Sequence, residues 1–140
     1  IMEYVYNGSG TIFCDGREYK VEKGDAYILP KGSCHRYYPN YTWDKIWFNV
    51  DGTLVSNLIY SYDLQSTIVF KRFNNKQIFD ELYEITNSNL PVKEIMLTGA
   101  IKFHSIMQSL YGFRQKDLMD IKVNTINGRN LMKNIKSLTT

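Results

Sequence analysis

The chain has 140 residues, a net charge of +3, 44% hydrophobic and 22% charged residues. That is enough for one domain with a real core, and too weakly basic to argue for nucleic-acid binding by this segment alone. Cys14 and Cys34 lack CxxC spacing and form no disulfide framework, which points to a reducing cytoplasm; no apolar run reaches the ~18 residues of a membrane span. Eleven Tyr, seven Phe and two Trp are a heavy aromatic complement that favours strands and binding surfaces. No signal peptide is legible, and both ends look cut, so a fragment of a longer protein is the expectation.

The first half reads as strands. "EYVYNGSGTIFCDGREYKV" alternates and is punctuated by glycine. Asp15-Gly16 is a two-residue hairpin signal, because a type I′ turn needs positive φ at both positions. "NGSG" reads as a second turn and Lys23-Gly24-Asp25 as a third, leading into the strand "AYILP". Turns at this density suggest a sandwich or barrel. "TWDKIWFNVDG" places Ile46, Phe48 and Val50 on one face and Trp43, Lys45, Trp47 and Asn49 on the other. The first face is core. The second is both aromatic and hydrogen-bonding, which suits the wall of a polar-ligand cavity; the plainer alternative is a solvated face. A short helix follows with Thr53 as its cap, then "STIVFKRF" as a closing strand.

The second half changes period. "NKQIFDELYEI" is an amphipathic helix over Ile78, Leu82 and Ile85. After Pro91 a long stripe runs through Ile95, Phe103, Met107 and Leu110. A shorter helix is expected around Leu131, Ile135 and Leu138, with breaks at Gly112 and Gly128. Strands followed by helices make an α+β chain. The stripe has three possible partners: the barrel, its neighbouring helix or a second subunit.

The spacing Gly24, five residues, Pro30, one residue, Gly32, two residues, His35 resembles the second motif of the cupin superfamily. With its surroundings, "YVYNGSGTIFCDGREYKVEKGDAYILPKGSCHRYYP" and the "W…W…F…DG" segment, it resembles the N-terminal domain of AraC-type transcription regulators over roughly residues 3 to 73. The resemblance implies a cupin-like double-stranded β-helix (jelly-roll) barrel over residues 1–73 that binds a small effector, often a sugar. Antiparallel helices over residues 74–140 would mediate dimerisation, here through Ile95, Phe103, Met107 and Leu110. DNA would be bound only by a helix-turn-helix domain beyond Thr140. The implied partners are thus a saccharide-like effector and a second copy of the chain, with no membrane and no cofactor.

By match to that family, the implied ligand-binding residues are Asn7, His35, Tyr37, Lys45 and Trp47. Lys45 would donate to ligand oxygens, and Trp47 would stack on a ring. Asn7 stands where relatives often carry an arginine. For each, ordinary barrel packing is the competing explanation. A metal site would need an HxH pair and a glutamate around His35. Glu3, six residues before Gly10, echoes the glutamate spacing, but the β half holds no second histidine. Neighbouring strand residues point to opposite faces, so Cys34 and His35 do not make a nucleophile–base pair. Lys71 and Arg72 read as a solvated strand end, Cys14 as a small packed hydrophobe and His104 as a helix-face residue. Two competing functions remain open: a metal-dependent cupin enzyme (isomerase or dioxygenase), and a ligand-free dimerisation module.

Overall fold

The computed structural model describes the backbone of residues 1–139 and the side chains of residues 1–120. Five strands, β1 (Met2–Cys14), β2 (Arg17–Glu22), β3 (Ala26–Ile28), β4 (His35–Phe48) and β5 (Val69–Phe70), form one antiparallel sheet. Strand β1 is its centre. One edge of β1 pairs with β3 over Met2–Tyr4 and with β2 over Ser9–Cys14; the other edge pairs with β4 along nearly its full length. Strand β5 adds beyond β3. The described strands therefore make a curled half-barrel rather than a closed jelly roll. Most of the expected closing strand "STIVFKRF" is loop, and only Val69–Phe70 pairs.

The hairpin at Asp15-Gly16 forms as the sequence predicts, with φ of 48° and 79° and Cys14 paired to Arg17. "NGSG" is different: it does not turn the chain but lies within β1 as two register irregularities, between Val5 and Asn7 and between Gly8 and Gly10. A β-bulge adds a residue to one strand and bends it without ending it. Gly8 has φ of 78°, and a Cβ there would lie 1.9 Å from the Thr42 carbonyl oxygen, so only glycine fits.

The irregularities change which parity of β1 faces inward. Glu3 and Val5 lie on the concave face before them, and Ile12 and Cys14 after them; Val5, Ile12, Cys14, Val21, Tyr27 and Leu29 pack there together. The convex face carries Met2, Tyr4, Ala26, Ile28, Ile46, Phe48 and Phe70 against three helices, α1 (Thr53–Ser61), α2 (Lys76–Thr86) and α3 (Val92–Thr139). Gly52 rather than Thr53 occupies the α1 cap position. Asn75 caps α2 by accepting from the Ile78 N–H. Phe79 is fully buried against Tyr4, with ring centroids 4.9 Å apart, worth about 2 kcal/mol in burial alone.

Helix α3 runs through Gly112 without a break. A lone glycine costs a helix only about 1 kcal/mol, which the packing of the adjacent Leu110 and Phe113 outweighs. The expected short third helix is part of this same helix; the side chains of Leu131, Ile135 and Leu138 lie outside the described residues. The anticipated dimer face is also corrected. Phe103, Met107 and Leu110 are at most 5% exposed and belong to the chain's own core, so the apolar stripe packs against α2 and α1 and is not open to a partner. Ile95 is only partly buried. The exposed apolar residues of α3 are others: Val92, Met96, Leu97 and Ile101 are each 60% exposed or more. No helix among the described residues is long and apolar enough to cross a membrane.

Candidate effector site on the concave face

Strand β1 delivers Glu3 to the concave face, where it is 3% exposed. A carboxylate so far from water needs ionic and hydrogen-bonding partners to offset its lost hydration. Three donors meet it. Tyr37 donates its hydroxyl to Oε1 at 2.8 Å, Tyr27 donates its hydroxyl to Oε2, and the Lys45 Nζ lies 2.8 Å from Oε2. Lys45 also donates to the Tyr27 hydroxyl oxygen at 3.1 Å.

The Lys45 ammonium sits over aromatic faces as well: 3.7 Å from the Tyr37 ring centroid, 4.2 Å from Trp43 and 5.8 Å from Tyr27. Carboxylate and rings attract it together. Burial, and next to it the Glu3 carboxylate, hold the Tyr27 and Tyr37 hydroxyls well above the ordinary tyrosine range. Both remain protonated donors at neutral pH. Trp43 in turn lies flat on Gly10, where a Cβ would come within 2.5 Å of the indole. His35 and Trp43 flank Tyr37 edge-on, at 5.4 and 5.9 Å between ring centroids. Their Nδ1 and Nε1 atoms are buried without a hydrogen-bond partner.

Three of the residues anticipated from sequence, His35, Tyr37 and Lys45, thus come together. Trp47 shares their face and pairs in register with Glu3, but it is 58% exposed at the rim. Asn7 does not join them. Register pairs it with Asp44, between the inward-facing Trp43 and Lys45 and therefore on the opposite face of β4. The bulge after Val5 turns it there, a change that a strict period of two cannot show. Two central residues were not among the implied ligand-binding residues: Glu3, noted only for its spacing to Gly10, and Tyr27. The signal for Glu3 was present: a lone acid within an apolar alternating strand. Tyr27 sits in the continuous run "AYIL", where nothing marks it.

Among the described residues, no group of three or more His, Cys, Asp and Glu side chains gathers as a metal could require; His35 has Cys14 as its cross-strand partner and Tyr37 beside it. Hollows lie elsewhere among the described residues, these two among them. A shallow one of about 560 Å³ spreads over Phe13, Arg36 and Tyr38 on the outer face of the hairpin. A cleft of about 300 Å³ between α1 and the end of β3 is lined mainly by Ile28, Leu29, Val55 and Ile59. Neither gathers convergent, buried polar groups as the concave face does.

A curled antiparallel sheet with a polar, aromatic concave face and helices on its back defines a small-molecule-binding domain of the cupin-like class. Residues 2–88 match the AraC-like ligand binding domain, and the chain belongs to that family. It is accordingly a ligand-sensing domain of the regulatory type. Among curated proteins, none matches the chain.

Proposed function

We propose that this chain binds a small polar effector, a saccharide in our reading, on the concave face, and passes the binding on to a DNA-binding domain outside this sequence. It acts as a cytoplasmic sensor and not as a catalyst. The observation that carries the reading is the convergence of Lys45, Tyr37, Tyr27, His35 and Trp43 around buried Glu3. Aromatic faces suit the C–H faces of a sugar, and a few fixed polar groups orient its oxygens. Trp47 at the rim supplies a further ring. Binding switches the protein only to the extent that the two states differ in affinity.

Family membership also supports a homodimer. Its surface is the exposed side of α3, with Met96, Leu97 and Ile101, in place of the buried stripe. The decisive test is a thermal-shift screen of neutral mono- and disaccharides. A ligand at about a hundred times its Kd should raise Tm by roughly 5–10 °C, and Tyr37→Phe should weaken that rise. A flat response across the panel would end the saccharide reading.

One observation favours a second reading. Lys45 already fills the space between the Tyr37 and Trp43 rings, as expected of a barrel that packs itself shut and serves only to dimerise. In that case Lys45→Met would leave every ligand response unchanged while the chain still dimerised.

A further inference from the structure

We propose that the subsite formed by Lys45, Tyr37, Trp43 and His35 takes an uncharged oxygen acceptor, a carbonyl, ether or hydroxyl oxygen, and discriminates against carboxylates. This rests on the concave-face reading of the effector site and specifies the chemistry that the site accepts.

The argument is an account of which groups are already used. Glu3 accepts from Tyr37, Tyr27 and Lys45, which leaves it little capacity for a ligand. The Tyr27 hydroxyl donates to Glu3 and accepts from Lys45, so it is also occupied. Of the three ammonium N–H groups of Lys45, two are directed to Glu3 and Tyr27 and one is left over. The Lys45 side chain is 19% exposed, so a ligand can reach it. Trp43 Nε1–H can only donate, and it is buried without a partner. His35 Nδ1 is in the same position and takes whichever role its tautomer allows. The unused capacity is thus mainly donor capacity, and it calls for an acceptor.

Charge decides which acceptor. The cation of this subsite, Lys45, has its counter-ion 2.8 Å away. An entering carboxylate would meet a positive and a negative charge together, gaining little net attraction while losing its own hydration. A neutral oxygen gives up far less water for the same hydrogen bonds. An entering ammonium would find its place on the rings taken by Lys45.

The two indole N–H signals make this measurable. Trp43 reports the subsite, Trp47 reports the rim of the same face, and the backbone amides of α2, packed behind the sheet, serve as the internal control. In a 15N-labelled protein at neutral pH, titration with acetamide should shift the Trp43 indole signal saturably. Acetate and methylammonium should act about tenfold more weakly. In Glu3→Gln the Lys45 charge is uncompensated, and acetate should gain about tenfold and draw level with acetamide. A Trp43 signal that acetate moves as readily as acetamide, or that neither moves, overturns the proposal; the wild-type comparison decides this even if Glu3→Gln does not fold. Failure of the saccharide reading is separable. A Trp43 response to acetamide with no sugar binding leaves the acceptor subsite standing. Sugar binding that leaves the Trp43 indole unmoved removes the subsite and keeps the sensor.

Discussion

Gly10 shows how much a single hydrogen can govern at this site. Trp43 rests on it so closely that an added Cβ would sit 2.5 Å from the six-membered ring. Gly10→Ala should therefore displace the indole from Tyr37 and Lys45 and destabilise the protein by about 1–3 kcal/mol, the usual cost of overpacking. Urea unfolding measures this, and an unchanged midpoint would show that the indole has room to yield. At this scale the sequence was partly legible. His35, Tyr37 and Lys45 could be placed because the irregularity of β4 between Pro39 and Trp43 inserts an even number of residues and so preserves the period of two. Asn7 could not, because a bulge reverses parity and leaves only glycines as its trace. Glu3 was visible as an echo of a motif's spacing, but its partners Tyr27 and Lys45 are 24 and 42 residues away, so only the sheet brings them together.

The elements are joined by a few polar contacts over an apolar layer. The Tyr6 hydroxyl of β1 donates to Asp80 of α2, which Lys76 also approaches at 3.0 Å. The next residue of α2, Glu81, pairs with Lys102 of α3 at 2.5 Å. The central strand of the pocket is thereby linked to α2, and α2 to α3. The Tyr6 hydrogen bond, and after it Lys76, hold the Asp80 carboxyl below the usual carboxylate range. Its stabilising effect is present above the unfolded pKa of about 4 and is lost as pH falls further. Tyr6→Phe should cost about 1 kcal/mol at neutral pH, since Asp80 is only partly buried, and should flatten the acid limb of the stability curve. Equal losses at neutral and strongly acidic pH would assign the effect to packing.

The same scale corrects the helices. Periodicity correctly identified the apolar stripe of α3, but a stripe does not say what covers it. Met107 is fully buried in the monomer, so Met107→Lys should unfold the chain, at a cost of about 3 kcal/mol or more, and should not release folded monomers. Leu97→Glu with Ile101→Glu is the substitution that separates subunits if α3 is the interface. Light scattering together with circular dichroism distinguishes the two outcomes, and a folded dimer carrying both glutamates would move the interface elsewhere.

For the molecule as a whole, tyrosine sets the alkaline limit. The Tyr27 and Tyr37 hydroxyls are held well above their ordinary pKa by burial and by Glu3, and Tyr6 by burial and by Asp80. Groups with raised folded pKa contribute stability that is complete below the unfolded value, near 10, and that declines as pH rises beyond it. Thermal melts should thus be insensitive to these groups between neutrality and about pH 9 and fall steeply above about pH 10. Tyr27→Phe should make that fall shallower; an identical alkaline limb would place the titrating groups elsewhere.

Architecture was the most legible level. Glycine-punctuated strands followed by helices specify an α+β chain, and Gly24, Pro30, Gly32 and His35 mark the turns around β3 and the start of β4. The open half-barrel could not be read, because closing a sheet depends on which distant edges meet and not on local pattern.

Strand β1 belongs to both apolar layers, sending Met2 and Tyr4 to the helices and Val5 and Ile12 to the concave face. Neither layer can come apart while the other keeps a complete wall. The amides of β1 are accordingly expected to exchange with solvent deuterium only through global opening, at one common rate, while the tip of β4 around the 97%-exposed Tyr41 exchanges by local fraying.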